Sequence, residues 1–172
     1  MADQATLAAA QVARRYPGIL MPFLNPLLGI LPGEIQNKPK DWFIYSIPAP
    51  STIGASAQQV PFSIQFQNDS YFVWMAISGI VTAADNVTVE DPAPLTLQVN
   101  DSGSGANVFF QPVQWSAIVG SGKEPGVLSF PRVVNPAATY TIYINNLVAT
   151  AWQVGLQLLG FKVFHKMADL TS

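Results

Sequence analysis

The chain has no cysteine, one histidine and few charges of either sign. Each scarcity excludes something. Without cysteine there are no disulfides and no thiolate metal sites, and the redox compartment stays open. His165 is the lone imidazole and stands beside Lys166 near the C-terminus. No Ser–His–carboxylate or Cys–His set can be built elsewhere, because each needs an imidazole as base. A terminal histidine of this kind reads more simply as solvated.

Charged residues make up 10% of the 172 residues, whereas 49% are apolar. Ordinary globular domains carry roughly a quarter charged residues. Surface charge keeps a solitary domain apart from its neighbours, so a chain this poor in charge is expected to cover much of its surface with other subunits. The plainer alternative is a neutral surface rich in Ser, Thr, Asn and Gln. A formal net charge of −2 offers no basic field to nucleic acid.

The longest apolar stretch is PGILMPFLNPLLGILPGEI, residues 17–35. Pro17, Pro22, Pro26 and Pro32 interrupt it. Each proline removes a backbone donor and clashes with the preceding turn, at about 3 kcal/mol in a helix interior. A spanning helix needs about 20 apolar residues with an internally paired backbone. The stretch is therefore not expected to cross a membrane. The first residues, MADQATLAAAQVARRY, do not read as a signal peptide either, because the arginines follow the apolar part. A short helix is predicted over 3–16, capped by Asp3 and ending at Pro17-Gly18.

From this follows a division into an N-terminal helix and Pro-rich assembly arm at 1–40, a β domain at 41–166 and a tail at 167–172. The arm presents Ile19, Leu20, Phe23, Leu24, Leu27, Leu28, Ile30 and Leu31. It has no core of its own, so these side chains are expected to bury on the parent domain or on a neighbouring subunit. The expectation is a subunit interface.

After Asp41 the pattern changes to strands bounded by Gly, Pro, Asn, Asp and Ser. Candidates are 42–48, 60–67, 71–82, 94–100, 107–114, 126–130, 139–146 and 152–164. Apolar and polar residues alternate in Phe62-Ser63-Ile64-Gln65-Phe66, Leu95-Thr96-Leu97-Gln98-Val99 and Tyr140-Thr141-Ile142-Tyr143-Ile144. One buried and one wet face is the pattern of antiparallel sheets. Short strands without intervening helices predict an all-β, antiparallel two-sheet sandwich, jelly-roll-like ahead of immunoglobulin-like.

The remaining motifs carry little chemistry. Glu90 and Asp91, with Asp85, form the best oxygen-rich cation candidate, but without EF-hand spacing. Asp101-Ser102-Gly103-Ser104-Gly105 lacks the lysine and helix of a phosphate loop and reads as a hairpin turn. The aromatics, Trp42, Trp74, Trp115 and Trp152 among them, suit core packing more readily than a sugar-stacking platform. No cofactor, metal or catalytic set is implied, so the reading is non-enzymatic.

Three stretches within 60–164 carry a resemblance: VPFSIQFQNDSYFVWMAISG, then PLTLQVNDSGSGANVFFQPVQWSAIVGSGKEPGVLSFPRVVNPAATYTIYINNL, then VGLQLLGFKVF. A QNDS turn opens a long strand. A DSGSG hairpin, a Gly-x-Gly-x-x-Pro loop and a Pro-Arg element follow, and a final strand ends in Leu-x-Gly-x-Lys-x-Phe. In this order they resemble a group of small virion structural proteins of tailed phages and prophages. The resemblance implies a capsid decoration (cement) protein or a head–tail collar or neck protein. Its partners would be copies of itself and the major capsid, portal or neck protein, within the virion assembled in the host cytoplasm. The competing class is a carbohydrate- or receptor-binding module.

Overall fold

Alternation becomes sheet in a computed structural model that describes residues 40–47, 51–83, 89, 92–109, 111–121 and 124–164. The predicted helix at 3–16, most of the arm, and the tail lie outside the described residues. Among the described residues ten strands form: β1 (Lys40–Ser46), β2 (Ser51–Ile53), β3 (Val60–Gln65), β4 (Ser70–Thr82), β5 (Leu95–Asp101), β6 (Ala106–Asn107), β7 (Val113–Gln114), β8 (Gly126–Val134), β9 (Thr139–Asn146) and β10 (Trp152–Phe164). One helical turn, α1 (Trp115–Ile118), separates β7 from β8.

The first sheet has the order β1-β10-β4-β8, with β2 beside the far end of β10. The second has the order β3-β9-β5-β6, with β7 also on β5. β1 with β2, and β6 with β7, each act as one interrupted edge. Eight strand positions result, and their partners are nested. First pairs with last, second with seventh, third with sixth and fourth with fifth, every pair antiparallel. Two further pairings, β4 with β10 and β5 with β9, roll that long hairpin into two facing sheets. This nested order is a jelly roll.

Inward-facing residues of both sheets make one core, including Ile64, Phe66, Phe72, Trp74, Leu97, Val99, Tyr140, Ile142, Ile144, Leu156 and Leu158. An aromatic cluster closes one end: Tyr45 lies 4.6 Å from Phe66 and 4.9 Å from Phe72, ring centre to ring centre. Lys162 is buried there above the Phe43 ring, 3.7 Å from its centre, and donates to the Gln67 side-chain carbonyl. At the other end buried Asn146 donates to the carbonyls of Gly54 and Thr150 and accepts from Val148 N–H, which satisfies its amide.

Two departures from the sequence reading have physical causes. The predicted strand 107–114 is two short ones, with Pro112 between them removing a ladder donor. β8 runs four residues past the predicted end at Phe130, through Pro131. Proline is tolerated because β8 is an edge strand.

β4 carries one extra residue. Trp74 pairs with Gly160, and Ala76 with Leu159, so Met75 has no partner on β10. This is a β-bulge, and it shifts the side-chain alternation of β4 by one. Phe72 and Trp74 face the core before it, Ile77 and Val81 after it. A Cβ on Gly160 would collide with the Val73 carbonyl, so glycine is required at this crossing.

Candidate interaction surfaces

The residues that suggested chemistry are placed as follows. His165, Asp85, Glu90 and Asp91 lie outside the described residues, as do Ile19, Leu20, Phe23, Leu24, Leu27, Leu28, Ile30 and Leu31. Among the described residues no group of three or more His, Cys, Asp or Glu comes together. The Asp101–Gly105 segment is a hairpin turn held from within. The Asp101 carboxylate accepts from Gly103 N–H at 2.9 Å and from the Ser104 hydroxyl at 3.0 Å, and Gly105 takes a left-handed φ of 66°. Trp74, Trp115 and Trp152 are buried and Trp42 is half-buried, so none offers an open platform to a sugar ring.

Among the described residues two apolar surfaces stand out. The first is the β8 edge. β8 pairs with β4 through Gly126 and Val127 and again through Arg132, Val133 and Val134. Between these ladders four residues of β8, 128–131, face a single residue of β4. The surplus chain swells out of the sheet and carries Phe130 to 76% exposure. Val127 and Val133 flank it, 36% and 37% exposed. Beside the swelling lies a cleft of about 520 Å³ lined by Val108, Phe109, Ile118, Val127, Phe130 and Arg132. It sits where the open edges of the two sheets approach. Arg132 spans that gap, donating from Nη2 to the Val108 carbonyl at 3.1 Å and to the buried Tyr140 hydroxyl. Burial first, and then the Asp101 charge, push the Tyr140 pKa up to about 12 against the opposing pull of Arg132. The cleft thus has an apolar lining and a cation already engaged by the protein, a composition suited to an apolar side chain.

The second surface is the outer face of the first sheet. The second sheet behaves as a one-sided sheet should: Ser63 and Gln65 point outward and are exposed. Along β10 of the first sheet, alternation holds only at one end, where Gln157 is exposed between buried Leu156 and Leu158. From Leu158 to Val163 every residue is buried. Leu159, Phe161 and Val163 alternate with the core-facing positions and lie outside the inter-sheet core, as does Val73. Trp42 packs edge-on to Phe161 on the same side, ring centres 5.3 Å apart.

Sequence reading missed Phe130. Its signal was an apolar residue directly before Pro131 at a strand end. The outer face was legible in part as the unbroken run LLGFKVF, which no one-sided strand requires.

No protein-family model and no curated protein matches the chain. Among solved structures it is similar to the VP2 subviral particle of infectious bursal disease virus, at 11% identity and TM-score 0.37 over 73% of this chain and 33% of that one. The chain therefore spans about a third of the VP2 length. It is also similar to the virus-like particle of the extra small virus of the prawn Macrobrachium rosenbergii, at 11% identity and TM-score 0.31 over 80% of this chain and 86% of that one.

Proposed function

We propose that the chain is a non-enzymatic structural subunit of a virus particle, and within that class a decoration (cement) protein of a tailed-phage head. The observation that carries the reading is the exposed apolar edge at Val127, Phe130 and Val133, in a chain with only 10% charged residues. Such a surface is stable when another protein covers it. Jelly rolls serve viral capsid proteins, lectins and cupins, so fold alone does not choose among them. Buried Trp74, Trp115 and Trp152 weigh against the lectin-like use.

The mechanism is contact. A cement subunit buries surface across junctions of the shell and so raises the barrier to rupture under the pressure of packaged nucleic acid. The exposed edge at Val127, Phe130 and Val133 supplies apolar area for such a contact. A collar or neck ring subunit uses the same physics at the head–tail junction, and copy number per particle separates the two.

The test is light scattering on the full chain, alone and mixed with assembled shells. A defined oligomer, or saturable binding to shells, is the expected result. A solitary monomer at high concentration that leaves shells undecorated would falsify the assignment.

A further inference from the structure

We propose that residues 17–35 seat on the outer face of the β1-β10-β4-β8 sheet of their own chain and make that half of the sandwich three layers deep. The inference is independent of the virion reading.

Four observations point the same way. First, Val73, Leu159, Phe161 and Val163 are buried although they face away from the inter-sheet core, and Val163 is 0% exposed. A strand dry on both faces requires a layer on each side. The strongly contacting neighbours of β10 among the described elements are its sheet partners, which lie beside it and not above it. Second, the arm joins this sheet at its edge. β1 begins at Lys40, opposite Val163. Third, the reach is sufficient. Crossing from β1 to β8 takes three strand spacings, about 14 Å, and the eight residues 32–39 extend to about 26–29 Å. Fourth, the chemistry matches: residues 17–33 carry no charge and supply Ile19, Leu20, Phe23, Leu24, Leu27 and Leu28 to a face of Val, Leu and Phe. The C-terminal segment after Phe164 starts from the same end of the sheet, but HKMADLTS offers only Met167 and Leu170 as large apolar residues.

The absence of cysteine makes the test direct. Val163→Cys reports the outer face, Ile142→Cys the inter-sheet core and Ser63→Cys open surface, each as the single thiol of the full chain. Both buried thiols are expected to react with a maleimide at least 100-fold more slowly than the Ser63→Cys thiol. Adding Phe23→Asp, Leu27→Asp and Ile30→Asp should accelerate the Val163→Cys thiol at least tenfold and leave the Ile142→Cys thiol protected. Fast reaction at position 163 in the intact chain, or no response to the charged arm, overturns the proposal.

If the triple variant fails to fold, a photo-crosslinker at Leu27 in the otherwise unchanged chain decides. Products at 71–75 or 159–163 with monomer mass support it. Products elsewhere, or of dimer mass, overturn it, the latter assigning the arm to a second copy. Neither readout requires particles or shell binding, so this proposal and the virion reading fail separately.

Discussion

Phe130→Glu separates folding from assembly. Phe130 is 76% exposed and makes little of the core, so its replacement should leave the melting temperature unchanged, within the ±0.5 kcal/mol usual for surface sites. Full burial of a phenylalanine is worth about 1.5–3 kcal/mol, and three quarters of it about 1–2 kcal/mol. That corresponds to roughly a 5- to 30-fold weakening for each contact between subunits. The introduced carboxylate adds to the loss, because it must be desolvated against an apolar partner. If the chain assembles as proposed, identical copies would each carry this edge and the effect would multiply with copy number. Sedimentation or light scattering across a concentration series, paired with thermal melting, reads both quantities. Unchanged assembly in the folded variant would refute the assignment of this edge as a contact surface.

Three further outcomes follow from the interior. Tyr140 is held above the ordinary tyrosine value of 10, at about 12. The folded state therefore keeps a proton that the unfolded chain releases, so this contribution is complete below pH 10 and disappears as pH rises to about 12. Denaturant melts should show stability falling over that window by at most about 2–3 kcal/mol, and Tyr140→Phe should flatten the fall; equal slopes would contradict the burial argument. Gly160→Ala should cost about 3 kcal/mol, the upper end for overpacking, since its Cβ meets backbone at Val73. Calorimetry should show a loss of about 6–12 °C, and an unchanged melting temperature would rule out the tight crossing. Trp74 donates Nε1–H to the Ala76 carbonyl at 2.8 Å, while Trp152 Nε1 is buried with no hydrogen-bond partner among the described residues. Trp74→Phe should therefore destabilise by about 1–3 kcal/mol more than Trp152→Phe in urea melts; equal losses would count against the unsatisfied donor.

Legibility in the sequence followed local physics. Strands 139–146 and 152–164 have the bounds that the sequence pattern predicts, because unbroken β-rich runs between turn signals fix both ends. The two-sheet jelly roll was legible in kind, from short alternating strands without helices. Its nested pairing was not, since pairing depends on contacts distant along the chain. β2 escaped notice because three residues hold too little pattern to show alternation. The sequence pattern makes Phe130 the last residue of a strand, and only the register mismatch between β4 and β8 reveals that it stands clear of the sheet. Registers are properties of two strands together, and neither strand's own composition encodes that mismatch. The apolar arm, by contrast, stood out in the sequence from composition alone.

None of the sandwich's four borders is a clean rail. β1 and β2 are separated by Ile-Pro-Ala-Pro, β6 and β7 by a segment with Pro112, β3 carries Pro61, and β8 swells before Pro131. Edge-to-edge hydrogen bonding, the route by which sheets grow into fibrils, is disfavoured where prolines or the swelling interrupt the described edges. For a chain with 49% apolar residues, such interruptions disfavour the addition of a strand along its described edges.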